Sequence, residues 1–121
     1  MLYALLCYNS EDTTCAWSKE EDEAVMVKLL AVQDRLAREG KLGPSLRLLP
    51  TTAATTLHKE KDLVIDGPYA ETKEQLLGFY VLDISGLEEA LDIARELGRA
   101  NPGGAYEIRP IGLFMPGAFA A

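Results

Sequence analysis

The sequence has little of what metal sites and disulfide scaffolds require. Its 121 residues include two cysteines and one histidine, with no Cys-x-x-Cys spacing. Both a secreted disulfide framework and a transition-metal centre need more ligands than this. We therefore expect free thiols in a reducing, cytoplasmic setting, and neither a metal nor a cofactor.

Long apolar runs and positive charge are also scarce. No segment approaches the roughly 20 apolar residues of a membrane-spanning helix, and residues 1–8, although apolar, lack the basic leader of a signal peptide. Twelve Lys and Arg stand against 19 Asp and Glu, a net charge of −7. That charge opposes nucleic acid and anionic membranes, so neither is expected as a partner.

The composition is that of one globular domain. Hydrophobic residues make up 48% and charged residues 26% of the chain, close to the globular average. A chain of this length can bury a hydrophobic core large enough to fold without disulfides or a bound metal. We therefore expect a single domain over residues 1–121.

Strand patterns occur at both ends of the chain and in its middle. Residues 1–8 and 76–84 are apolar on both alternating faces, which predicts inner strands of a sheet. A short strand is expected at 45–49, closed by Pro50, and a last strand at 106–113.

Two capping-box signatures predict helices. Ser18 with Glu21 begins one that runs to about Glu39, and Ser85 with Glu88 begins another that ends at Gly98.

A hairpin is expected around Glu60 and Lys61, from extended runs at 55–59 and 62–66. Its register places His58 opposite Leu63 and Asp66 on the other face of the hairpin. A sharp Asp-Gly-Pro turn follows at 66–68.

The element order predicts an α+β, ferredoxin-like βαβ-βαβ fold with an inserted hairpin. Two helices cover one face of such a sheet, yet both faces of the inner strands are apolar. A second copy is the simplest cover for the other face, so we expect a homodimer. We expect Tyr80 and Leu82 on that dimer face.

The block DGPYAETKEQL at residues 66–76, followed by GFY at 78–80, resembles the signature of the DGPF group of YCII-related proteins, and EIRP at 107–110 resembles its closing strand. The likeness runs from the first strand to about Ile111. Tyr69 stands where the group has Phe, which keeps the ring and adds a hydroxyl.

The resemblance implies a dimeric α+β barrel, in which two ferredoxin-like sheets face each other across a cleft. Relatives with that fold include small-molecule isomerases and a dehydrochlorinase, and several DGPF proteins are linked to bacterial extracytoplasmic-function sigma factors. It also implies a His–Asp pair, for which His58 and Asp66 are the candidates. The hairpin register argues against that pair.

The charged cluster after the hairpin supplies most candidate site residues. A carboxylate beside a cation at a cleft can serve as an acid or base, which nominates Asp66 and Lys73 as catalytic. Tyr69, Glu71 and Glu74 are the neighbouring ligand-binding candidates. The structural alternative is a carboxylate that caps the turn, with solvated charges around it.

Arg109 and Glu107 lie two apart on the last strand and so share a face. If Tyr106 and Ile108 pack on the helices, Arg109 faces the cleft, where its planar guanidinium could clamp an anionic group. We therefore nominate Arg109 as catalytic and Glu107 as ligand-binding. The alternative is an ion pair of Arg109 with Glu107 or with Glu71.

Two function classes stay open. One is an enzyme or binder of a small anionic or phenolic metabolite, with its site in the cleft between two subunits. The other is an accessory or regulatory protein, such as one acting with a sigma factor. The residues name neither a substrate nor a reaction.

Overall fold

The computed structural model describes residues 1–119. Within them the chain forms six strands, three helices and a short 3-10 turn at Thr51–Ala53. The elements, in chain order, are β1 Leu2–Asn9, α1 Glu11–Thr14, α2 Lys19–Arg38, β2 Leu42–Arg47, β3 Thr55–His58, β4 Leu63–Asp66, β5 Gln75–Asp83, α3 Leu87–Ala100 and β6 Ala105–Pro110.

Four strands form one antiparallel sheet in the order β2-β5-β1-β6, and β3 pairs with β4 in a separate hairpin. This is the ferredoxin-like α+β plan with an inserted hairpin, as the element order predicts. The inner strands are β1 and β5, the two segments whose apolar residues occupy both faces.

One face of the sheet packs on α2 and α3 and forms the core. Leu5 and Leu82 from the sheet meet Leu36 and Leu97 from the helices, and all four side chains are fully buried. Leu82 therefore faces the helices. Tyr80 lies on the same side, where its hydroxyl accepts a hydrogen bond from the Gln33 side chain at 2.9 Å.

The prediction that Tyr80 and Leu82 lie on the sheet face opposite the helices is therefore wrong. Tyr80 and Leu82 belong to the core, and the face opposite the helices presents their sequence neighbours. Leu6 pairs with Phe79 and Phe79 with Leu46, so an apolar row crosses three strands. We call this side, defined by Leu6, Leu46 and Phe79, the open face.

Two helix boundaries differ from the sequence pattern. Gly86, not Ser85, is the N-cap of α3, and the Ser85 amide donates to Glu89 at 2.9 Å. The Ser85–Glu88 capping box is therefore not formed, whereas the Ser18–Glu21 box is. Gly98 does not end α3, because that helix continues to Ala100.

Both outer strands also differ in extent from the prediction. The chain joins the sheet from Leu42, ahead of the expected start at residue 45, and its register with β5 shifts between Leu42 and Ser45, around Pro44. Strand β6 ends at Pro110, which has no amide hydrogen to donate. Each edge of the sheet therefore contains a proline.

The hairpin has the expected register. His58 pairs with Leu63 and Thr55 with Asp66, so alternation places His58 and Asp66 on opposite faces.

Candidate functional site

A cavity of about 380 Å³ lies where the 3-10 turn, the turn after β4 and the start of β5 come together. Its walls carry hydroxyl, carboxylate and amide groups. The polar residues that matter here are Thr51, Thr52, Asp66, Glu71, Thr72 and Gln75. The volume suits a small organic molecule.

The turn that holds Asp66 is fixed to the chain before the hairpin. The Gly67 amide donates to the Ala54 carbonyl at 2.8 Å, and the Thr56 hydroxyl donates to the Gly67 carbonyl at 2.8 Å. Gly67 has a φ of 120°, which side-chain-bearing residues rarely adopt. The position of Asp66 at the cavity is therefore fixed by the two backbone hydrogen bonds of the next residue, Gly67.

The 3-10 turn, which supplies Thr51 and Thr52 to the cavity wall, is held by Glu11, the first residue of α1. Its carboxylate accepts hydrogen bonds from the Thr51 amide, at 2.7 Å, and from the Thr51 hydroxyl. The Glu11 amide in turn donates to the Gln75 side chain at 3.0 Å. One residue thus joins the end of β1 to the 3-10 turn and to the start of β5.

Gln75 completes this frame. Its amide group also donates to the Thr72 carbonyl at 2.6 Å, and the Thr72 hydroxyl donates to the Glu74 carbonyl at 2.6 Å. These hydrogen bonds fix the conformation of the segment from Thr72 to Gln75, which forms part of the cavity wall.

A second cavity, of about 470 Å³, lies beyond that wall. It is lined by Tyr8, Glu74, Ala105, Tyr106 and Glu107. Tyr8 and Ala105 are partners in the β1–β6 register, which places this cavity at the end of the sheet where β1 finishes.

The seven candidate residues from the sequence are distributed among these features. Asp66 and Glu71 line the first cavity, and Glu74 and Glu107 line the second. The remaining three, which line neither cavity, are Lys73, Tyr69 and Arg109.

Arg109 lies on the side of β6 away from the helices, because Tyr106 and Ile108 pack against the core. Its guanidinium is 3.8 Å from the Glu107 carboxylate, and both side chains are exposed. An ion pair this exposed contributes little stability, so Arg109 can exchange this partner readily.

His58 and Tyr69 form a separate contact. Their ring centroids are 5.8 Å apart at an interplanar angle of 42°. The histidine therefore faces the loop after β4 and not Asp66.

A thiol nucleophile is excluded at Cys7, which sits on the helix side of β1. Burial raises the pKa of the Cys7 thiol to about 12, so the thiolate that would react is scarce at neutral pH. Burial likewise raises the pKa of Tyr80 and of Tyr106.

Sequence reasoning missed Glu11, Thr51 and Gln75. Their contacts join positions 40 and 64 residues apart, and no local pattern signals such a pairing. The available clue was Glu11 itself, an acidic residue two positions after the end of an inner strand.

Within residues 1–119, no three His, Cys, Asp or Glu side chains are grouped as ligands for an ion. Over the same residues, no helix has the length and apolarity to cross a membrane.

Comparison with known proteins gives two matches over nearly the whole chain. The model of the YCII-related domain matches residues 1–115. An uncharacterized protein of Rhizobium meliloti (strain 1021) is 61% identical over 120 residues, which cover 97% of each chain.

Proposed function

The chain belongs to the YCII-related domain family, and we propose that it binds or transforms a small phenolic or anionic metabolite as a homodimer, with Asp66 as the central polar group of each site. The observation that carries this proposal is the 380 Å³ cavity with Asp66 in its wall. A cavity of this size with a few fixed polar groups is the usual form of a small-molecule site.

The lining favours a ligand that donates hydrogen bonds. Asp66 and Glu71 supply carboxylate acceptors, and Thr51 and Thr52 supply hydroxyls. A phenolic hydroxyl can donate to Asp66, which then acts as the base if the ligand is a substrate.

An anionic group on the ligand needs a cation, and the candidate is Arg109, which lines neither cavity of its own chain and therefore reaches the ligand only across the cleft between subunits. It lies on the side of the sheet away from the helices, paired weakly with Glu107. A carboxylate that takes the place of Glu107 gains paired hydrogen bonds from the guanidinium.

The homodimer is supported by the open face. Leu46 there is exposed, and Leu6 and Phe79 are half-buried. An apolar row across three strands is typical of an interface. Packing two such faces together creates the cleft between subunits.

Both cysteines are free thiols, which supports a reducing, cytoplasmic setting.

The test is ligand-dependent thermal stabilisation. A panel of phenols and aromatic carboxylic acids is added to wild type, Asp66→Asn and Arg109→Lys, with Asp92→Asn as the control, since Asp92 is exposed on α3 away from the cavity. We expect a panel member to raise the Tm of wild type and of the control, with at least a tenfold weaker Kd for Asp66→Asn. Arg109→Lys should weaken carboxylates but not neutral phenols.

The opposite result is equally clear. If no compound shifts the wild-type Tm, or if Asp66→Asn binds as tightly as the control, Asp66 is a scaffold residue and the proposal fails.

A further inference from the structure

The last segment of the described chain is apolar, and most of it is exposed, while Ile111 and Phe114 are half-buried. No charged side chain follows Arg109 in the sequence, and the large apolar residues Leu113, Met115 and Phe119 are exposed, Leu113 by 78%. We call residues 111–119 the tail. It begins beside the first strand, where the Ile111 amide donates to the Leu2 carbonyl at 2.9 Å.

The hairpin is a second apolar feature without a partner in its own chain. Leu57 and Val64 pair across β3 and β4, and both are exposed, Val64 by 63%. Alternation places Asp66 on this same face. A two-stranded hairpin is only marginally stable unless one face is covered. We therefore expect another segment to pack against the hairpin face that carries Leu57 and Val64, which we call the outer face.

The two features lie at opposite ends of β1. The tail starts at Leu2, whereas the hairpin connects through Thr51 and Glu11 to the end of β1 at Asn9. Eight residues of strand separate these ends, a span of roughly 26 Å. In a single chain the tail residues Leu113, Met115 and Phe119 and the hairpin residues Leu57 and Val64 are exposed.

A two-fold axis across the strands brings these ends together. Such an axis places the Leu2 end of one sheet against the Asn9 end of the other, so that each tail can reach the partner's hairpin. Each chain carries a net charge of −7, and an uncharged tail is a contact that adds no repulsion.

We infer that the tail of each subunit packs across Leu57 and Val64 of its partner and closes the open side of the Asp66 cavity. The inference rests on the dimer and the cavity of the proposed function, and it makes each site incomplete without the second copy. The occupant of the hairpin face is therefore the same protein.

The first experiment measures association by sedimentation equilibrium. We expect Met115→Glu to weaken the dimer at least tenfold, because it places a charge in an apolar contact. The control is Val27→Glu, since Val27 is 69% exposed on α2; it should leave the dimer Kd unchanged. Equal Kd values for the two variants would overturn the inference.

The second experiment tests geometry by crosslinking. Val64→Cys and Leu113→Cys are made separately in a Cys15→Ser background, mixed and oxidised gently. The inference expects a disulfide-linked dimer in the mixture and not in either variant alone. A Val64–Val64 crosslink, or no crosslink from thiols that label freely, would overturn it.

These results separate the two proposals. A wild-type dimer that binds a panel compound, and yet is insensitive to Met115→Glu, removes the tail contact and leaves the proposed function standing. A monomer in sedimentation removes both the homodimer and the tail contact, and a dimer that passes both tail tests but binds no compound removes the metabolite site alone.

Discussion

The Glu11 carboxylate accepts hydrogen bonds from both the amide and the hydroxyl of Thr51, 40 residues along the chain. This contact fixes the 3-10 turn against the end of β1. We expect Glu11→Ala to lower the free energy of unfolding by about 2 kcal/mol, since it leaves a half-buried amide without its acceptor. Urea titration measures the change.

A double-mutant cycle isolates the hydroxyl. Thr51→Ala removes that donor and keeps the amide. We expect the double variant to be less destabilised than the sum of the singles by about 1 kcal/mol. Simple additivity would show that the two side chains do not interact in solution.

The two capping signatures should behave differently. The Ser18 side chain accepts from the Glu21 amide at 3.1 Å, and the Glu21 side chain accepts from the Ser18 amide. Ser18→Ala should cost about 1 kcal/mol. Ser85→Ala should cost less than Ser18→Ala, because the N-cap of α3 is Gly86 and not Ser85. Melting curves of both variants check this. Equal losses of stability in the two variants would show that Ser85 caps α3 as Ser18 caps α2.

Gly78 should not tolerate a side chain. A Cβ there would overlap the Leu46 carbonyl oxygen, so Gly78→Ala must displace β2 from β5. We expect a loss of about 1–3 kcal/mol, as in overpacked cores. Gly112→Ala is the control, since a Cβ at Gly112 meets nothing within 4 Å. A Gly78→Ala protein as stable as this control would contradict the β2–β5 register.

The thiols should differ in reactivity. Cys15 is exposed, whereas burial raises the pKa of Cys7 to about 12. We expect a thiol reagent at neutral pH to label Cys15 rapidly and Cys7 only on unfolding. Rapid labelling of two thiols in the native protein would contradict the packing of β1 on the helices.

The same burial predicts a dependence of stability on alkaline pH. The unfolded Cys7 thiol ionises near its ordinary pKa of 9.0, while the folded one keeps its proton up to about 12. The folded state then binds more protons than the unfolded state, so the free energy of unfolding falls as the pH rises above about 9. Cys7→Ala should flatten that fall between about pH 8.5 and 9.5, below the range in which tyrosines ionise.

The inner strands could be predicted because β1 and β5 have apolar residues on both faces. This pattern is typical of central strands, whose two faces are both covered. The same property explains the error at Tyr80. Phe79 and Tyr80 are equally suited to a buried face, so alternation separates them without saying which one meets the helices.

The turn at Asp66 could be predicted because Asp-Gly-Pro has a known turn chemistry, and the structure places Asp66 in the wall of the first cavity. Glu11 could not, since its importance comes from a contact with Thr51 that no local pattern encodes. Ser85 shows the reverse case: the local pattern is present, but Gly86 caps the helix and Glu89 binds the Ser85 amide.

The prolines at the two edges of the sheet limit how the protein can aggregate. Pro44 interrupts β2 and Pro110 ends β6, and a proline on an edge strand, which has no amide hydrogen, disfavours pairing with an incoming strand. Growth by strand addition, the route to fibrils, is therefore hindered at both edges. At high concentration the protein should remain in small closed assemblies instead of forming filaments.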